Sequence, residues 1–176
     1  MITSQPKVSV VILSYNQEQY LKQAILSVVN QTYQNLEIII CDNGSTDRSK
    51  DIIKNFLSDD RVIFLDYLEN LSISLRQNQA AKKSSGDFIS LLYADDYYLP
   101  NKIEHQVKIF STLSNDWGVV HGPAIQLDER TGQEIPLPST VAHGDSLEKL
   151  FTNYSDGFIN PISPLVRRYV YLEFPL

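Results

Sequence analysis

The sequence predicts an α/β fold, with a mostly parallel sheet and helices packed on both of its faces. Short, continuous β-branched and aliphatic runs recur from Val8 onward, as expected of strands buried on both sides of a parallel sheet. Each run is followed by residues with apolar positions at helical spacing, the alternation that builds right-handed βαβ crossovers. Polar clusters stand directly after several runs, where the carboxyl ends of the strands would meet along one edge.

Val8 to Leu13 is the first run, broken by Ser14-Tyr15-Asn16. A helical pattern then extends to about Asn30, with Leu21, Ile25, Val28 and Val29 on one face. Leu36 to Cys41 is a second buried strand, ending in Asp42-Asn43-Gly44. Ser45-Thr46-Asp47 supplies N-cap candidates for a helix carrying Ile52, Ile53, Phe56 and Leu57. Val62 to Tyr67 is the third strand, and a helix expected over Ser72 to Lys83 stops at Ser84-Ser85-Gly86. Phe88 to Leu92 is the fourth strand and runs into Asp95-Asp96. Pro100 suits a first helical turn, and Ile103, Val107 and Phe110 give that helix its apolar face. Trp117 to His121 is a fifth strand in the same alternation. Past Gly122 the pattern changes to a small hairpin, Gln126–Asp128 with Gln133–Ile135, and then to a short helix from Ser146 to Tyr154.

The chain has 176 residues, 43% of them hydrophobic and 20% charged, which is ordinary globular usage. With 15 Lys+Arg against 21 Asp+Glu the net charge is −6, so no nucleic-acid partner is expected, since phosphate backbones need a basic surface. The single cysteine, Cys41, excludes an intramolecular disulfide framework and a Cys-rich zinc site. No basic, then apolar, leader precedes Val8, and no apolar run approaches the roughly 20 residues that span a bilayer. His105, His121 and His143 are expected on a helix surface, at a strand end and in a loop, with metal ligation by His121 or His143 the lesser alternative.

In open α/β sheets the ligand lies outside the carboxyl ends of the strands. Ser14-Tyr15-Asn16, Asp42-Asn43-Gly44-Ser45 and Asp95-Asp96 all fall there. Each has a plain local reading as turn, cap or solvated charge, but together they point to one site. Neither G-x-G-x-x-G nor G-x-x-x-x-G-K-[ST] is present, so a dinucleotide dehydrogenase or a P-loop enzyme would lack its phosphate cradle. A divalent cation is another way to hold a diphosphate, and Asp95-Asp96 offers the hard oxygen ligands that Mg²⁺ or Mn²⁺ prefers.

The run from Val8 to Asn16 resembles the opening strand of family 2 glycosyltransferases with the GT-A fold, a Rossmann-like sheet. Asp42-Asn43-Gly44-Ser45-Thr46-Asp47 resembles their second-strand signature, and Asn78, Gly86 and Asp95-Asp96 follow the spacing into their metal motif. The resemblance covers about Lys7 to Pro100. It implies a nucleotide-diphospho-sugar donor, commonly a UDP-sugar, with Mn²⁺ or Mg²⁺ as cofactor. Ser14 and Tyr15 would line the donor site, with Tyr15 packing on the base, and Asn43 beside Asp42 would read the base's polar edge. Arg76 and Asn78 would line the donor site, and Asp95 and Asp96 would hold the ribose and the metal-bound diphosphate, with Asp96 the first choice for the direct metal ligand. Residues 1–122 would be the nucleotide-sugar-binding half of the domain and 123–176 part of the acceptor-side half.

Three positions depart from the family pattern. Asn43 stands where a second aspartate is common, Tyr93 where many members carry the first Asp of D-x-D, and Arg76-Gln77-Asn78 where an Arg-Asn pair is usual. Arg76 is thereby one place early, either reaching the phosphates or lying on the surface. The resemblance further implies inverting transfer to a saccharide or lipid-linked acceptor, in the cytoplasm at the inner face of a membrane, with peripheral association at most. The family's catalytic base is a carboxylate expected beyond Leu176, while Asp128, Glu129, Asp145 and Asp156 sit in no recognisable base motif. The sequence therefore suggests a donor-binding fragment of a larger transferase. The alternative is a nucleotide-sugar-binding or assembly module without turnover.

Overall fold

Strands β1 (Val8–Ser14) and β2 (Leu36–Asn43) are buried at every position, which is why they read as unbroken aliphatic runs rather than as an alternation. The computed structural model describes residues 5–137 and 162–173. It sets β1 and β2 side by side and parallel, with Ser14 opposite Asp42. β3 (Val62–Tyr67) joins β2 on the outer side and β4 (Phe88–Tyr93) joins β1 on the other, both parallel. The chain therefore reverses its direction of travel across the sheet between β1 and β4, and the crevice at their carboxyl ends is where an α/β sheet accepts a ligand.

Successive side chains on β1 point to opposite faces and enter two cores. Val8, Val10 and Ile12 pack with α1 (Leu21–Val29), α2 (Ser49–Lys54) and α4 (Lys102–Phe110) through Ile25, Ile53, Ile103 and Phe110. Val11 and Leu13 pack with Ile39, Cys41 and the small residues Ala80 and Ala81 of α3 (Ile73–Lys83). α2 is shorter than its apolar pattern: Phe56 and Leu57 follow it in a tighter i→i+3 turn, where Phe56 still meets the core and Leu57 faces out.

The fifth strand corrects the sequence expectation. Only Val119–Val120 forms β5, and it does not extend the parallel sheet. A strand not anticipated from sequence, β8 (Leu165–Arg167), lies between β4 and β5 and runs antiparallel to both. Arg167 holds it there: its Nε donates to the Trp117 carbonyl at 2.8 Å, and its guanidinium lies over the stacked Phe88 and Phe110 rings. α5 (Arg168–Glu173) follows at once, and its Tyr171 packs on the second core. The expected hairpin forms as β6 (Ile125–Asp128) and β7 (Gln133–Pro136), which among the described residues pair with each other alone. Asp128 caps its turn by accepting the Arg130 N–H. The helix expected over Ser146 to Tyr154 lies outside the described residues. No helix among the described residues is long and apolar enough to cross a membrane.

At the amino ends of the strands Glu37 is buried and fully partnered. It accepts the hydroxyls of Ser9 (2.5 Å) and Ser85 (2.6 Å), the Ser85 N–H and the Lys7 ammonium. Burial alone would raise its carboxyl, but these donors hold it below the usual range. Gly86 closes the arrangement with its N–H on Ser9 Oγ, and a Cβ there would stand 2.7 Å from the Ser9 nitrogen. We expect Gly86→Ala to cost about 1–3 kcal/mol, because backbone must shift to admit the methyl. A urea midpoint that does not fall would contradict this.

Lys102 carries its ammonium inward, to 2.8 Å from Ser90 Oγ and 4.0 Å from the Tyr98 ring centroid. Burial pushes it down to about 7. The unfolded chain keeps this proton until its ordinary value of about 10.4, whereas the folded chain releases it above about 7. Stability contributed by this site therefore rises with pH between those values and is least below the lower one. Urea midpoints measured from pH 6 to 9.5 should rise in the parent protein and flatten in Lys102→Met.

Candidate donor site

The loops after β1 and β2 are knitted together. Asn16 occupies the left-handed region at φ 51°, tolerable for asparagine, and its side chain accepts the Thr46 N–H at 2.8 Å. In return the Asn16 N–H donates to Ser45 Oγ (2.9 Å), the Gln17 N–H to Ser49 Oγ (3.1 Å) and the Glu18 N–H to Asp47 Oδ2 (3.0 Å). The Glu18 carboxylate accepts the Arg48 N–H, which with the Arg48 side chain lowers its pKa. The polar residues of the second-strand signature thus mostly serve loop structure. They leave Tyr15 standing clear at the rim, 42% exposed.

Asp42 is wholly buried at the end of β2. Its Oδ1 accepts the Ser45 N–H at 2.8 Å and lies 3.8 Å from Lys50 Nζ, which Asp66 holds at 2.6 Å. Its Oδ2 has no hydrogen-bond partner among the described residues, and neither does the hydroxyl of Ser14. Two unpartnered buried acceptors on paired strand ends are uncommon and call for an explanation.

Arg76, for which sequence left a surface position open, is 4% exposed on α3. It lies against Asn43, its Nε donating to Asn43 Oδ1 at 2.7 Å, with its guanidinium 3.7 Å from the Tyr67 ring centroid. Asn78 is half-buried on the same helix. Between them in sequence, Gln77 donates to the Tyr93 hydroxyl at 3.1 Å. Gln77 and Tyr93, two of the departures from the family pattern, therefore meet each other.

β4 delivers the two aspartates. The Ala94 N–H bonds to the Leu13 carbonyl and the Asp96 N–H to that of Tyr93, so the turn is anchored to β1 and to its own strand. Asp95 is exposed and Asp96 half-buried. Burial, and then the charge of Asp95, raises the Asp96 carboxyl, the electrostatic condition that a cation would relieve. No group of three or more His, Cys, Asp or Glu residues among the described ones is close enough to hold a metal. A cation here would rest on these two carboxylates and on oxygens of its ligand and water, a set that suits Mg²⁺ or Mn²⁺. Tyr97 faces outward, while Tyr98 is buried with its hydroxyl on Ser90 and on the Leu91 carbonyl.

Glu129, set aside in sequence for want of a motif, is brought to this edge by the hairpin, where it accepts the Tyr20 hydroxyl at 3.0 Å. The hydrogen bond to Glu129, and then its charge, raise the Tyr20 phenol, with burial and the charge of Asp95 adding less. Nothing local in the sequence joins residues this far apart. His105 is exposed on α4, His121 is half-buried just past β5, and neither joins the aspartates. His143, Asp145 and Asp156 lie outside the described residues.

Residues 9–171 match the family model described as glycosyl transferase family 2. An uncharacterized glycosyltransferase of Haemophilus influenzae is 36% identical over 149 residues, which is 84% of this chain and 58% of that protein. One from Rickettsia typhi is 36% identical over 129 residues, 73% of this chain and 40% of its own length. The chain thus spans about half the length of these two relatives. Among solved structures, Staphylococcus aureus TarS 1–349 superposes with a TM-score of 0.70 at 17% identity, over 95% of this chain and 48% of that one. A mannosyltransferase of Pyrobaculum calidifontis, solved with GDP-Man and Mn²⁺, also gives 0.70, at 16% identity over 97% and 47%. The mostly parallel sheet is therefore the GT-A architecture, and the chain belongs to glycosyl transferase family 2.

Proposed function

We propose that this chain binds the nucleotide half of a UDP-sugar for metal-dependent, inverting transfer of the sugar to an acceptor hydroxyl. The observation that carries the reading is the buried, unpartnered Oδ2 of Asp42. It lies at the end of β2, and the loops that follow β1 and β4 at the same sheet edge carry the exposed Tyr15 ring and the Asp95-Asp96 pair. A buried carboxylate oxygen without a donor favours a ligand that supplies an N–H. Uracil offers one such donor at its imide. Guanine offers adjacent ring and amino N–H groups, which ask for both carboxylate oxygens, and Oδ1 is already engaged by Ser45 and Lys50. TarS has been solved with UDP-GlcNAc and the Pyrobaculum enzyme with GDP-Man, so base choice varies among similar folds.

In this reading Tyr15 stacks on the base, Asp95 reaches the ribose, and Asp95 and Asp96 would hold the cation. When bound, the cation would supply charge neutralisation for the departing diphosphate, a Lewis-acid contribution of several kcal/mol. The acceptor oxygen attacks the anomeric carbon as the bond from that carbon to the diphosphate oxygen breaks, and a carboxylate base outside the described residues takes the hydroxyl proton. Glu129 is committed to Tyr20 and Asp128 to its turn, so neither is assigned that role. The acceptor is a saccharide or lipid-linked saccharide, met at the cytoplasmic face of a membrane during polysaccharide assembly.

Calorimetric titration of UDP and GDP, with and without Mn²⁺, tests this. UDP should bind more tightly than GDP, and Mn²⁺ should strengthen it. Asp95→Ala and Asp96→Ala should each remove the Mn²⁺ increment. Asp42→Asn should weaken UDP by about 10-fold, the usual scale for a charge-assisted hydrogen bond. Preference for GDP, or nucleotide binding indifferent to metal, would overturn the assignment. Metal-dependent UDP binding without sugar transfer in the full-length protein would favour a binding module.

A further inference from the structure

The side-chain amide of Asn43 is saturated. Its Oδ1 accepts Arg76 Nε at 2.7 Å and the Leu71 N–H at 3.0 Å, while its Nδ2 donates to Asn70 Oδ1 at 2.7 Å and to the Leu71 carbonyl at 2.8 Å. A primary amide has two acceptor positions and two N–H groups, so nothing is left over for the edge of a base.

Arg76 works from the opposite side of the same segment. Its Nη2 donates to the Glu69 carbonyl at 2.6 Å and its Nη1 to Gln79 Oε1 at 2.8 Å, over the face of Tyr67. These acceptors and that of Asn43 are all neutral, so the guanidinium is used for its rigid, forked geometry rather than to pair a charge. The segment it grips lies flat on Gly44. At φ +83° that residue sits in the left-handed region, and a Cβ there would come within 2.8 Å of the Glu69 carbonyl carbon and 2.9 Å of the Asn70 nitrogen. The next residue, Ser45, supplies the N–H that orients the Asp42 carboxylate. The contacts run without a break from Arg76 through residues 69–71 and Gly44 to the Asp42 carboxylate.

We propose that Arg76 and Asn43 are positioning residues for the base slot. They clamp residues 69–71 onto the end of β2, fix the turn that aims Asp42, and leave base reading at that strand end to Asp42. The proposal rests on the donor-site reading above. It also explains why asparagine stands where a second aspartate is common: a carboxylate would keep the acceptor for Arg76 but lose both N–H donors to the loop.

The test uses Asn43→Asp, close to isosteric, and Arg76→Lys, which keeps the charge and loses the fork. Each should weaken UDP by about 10-fold, the scale expected when buried acceptors lose their donors. In both variants the factor by which Mn²⁺ strengthens UDP should match the parent protein. Hydrogen exchange in the absence of nucleotide should speed up across the backbone amides of residues 69–71 as the loop loosens, and stay slow through β1 and β2. Unchanged UDP affinity in Asn43→Asp, or full retention in Arg76→Lys, would overturn the clamp. Weakened UDP with exchange unchanged across residues 69–71 would also overturn it, because the two side chains would then be acting on the nucleotide directly and not through the loop. If the parent protein binds no UDP, the donor-site reading itself falls, and the positioning role falls with it.

Discussion

β1 and β2 have no face on water, and this constraint organises the rest of the molecule. Strands buried on both sides must be aliphatic along their length, and they must also deliver their last residues into an edge where polar groups are cut off from solvent. Ser14, Asp42 and Asn43 arrive there. Each polar atom then needs a partner from a loop or a ligand. Asn43 finds all of its partners in residues 69–71 and Arg76, and Asp42 Oδ1 finds Ser45. At this edge Asp42 Oδ2 and the Ser14 hydroxyl are what remain without a partner among the described residues.

The same edge shows how changes of residue type compensate one another. Tyr93 replaces a carboxylate common in the family, and Gln77 stands where a cation is usual. Their side chains bond to each other, so a neutral pair occupies the place of two charges. Negative charge at the end of β4 is thereby concentrated on Asp95 and Asp96, where burial and then the like charge of Asp95 raise the Asp96 carboxyl. Asn43 and Arg76 show the same adjustment one strand over, where a neutral amide serves both as acceptor for the guanidinium and as donor to the loop.

Much of this was legible in the sequence. The aliphatic runs of β1, β2 and β4 and the apolar stripes of α1 and α4 leave little choice of element, because burial dictates composition over several consecutive residues. Tyr15, Asp42, Asp95 and Asp96 were visible as polar residues placed directly after such runs. Short elements held by one or two long-range contacts were not. β8 is three residues long and depends on Arg167 reaching the Trp117 carbonyl and two aromatic rings. Without β8 in view, β5 read as a fifth parallel strand when it is a two-residue strip paired to an antiparallel neighbour.

The sequence by itself determined the layer order, the edge on which the polar residues gather and the chemical types available there. Each of these follows from local periodicity or from residue type next to a strand end. Only the tertiary structure decided which of those residues are already spent. Asn43 and Asp42 are neighbours of similar size and polarity, and no pattern separates them. One is saturated and the other is left with a free oxygen because the Arg76 helix and the loop after β3, both remote in sequence, fold back onto one and not the other. Hydrogen-bond satisfaction is a property of the assembled edge, and it becomes readable only once the strands are side by side.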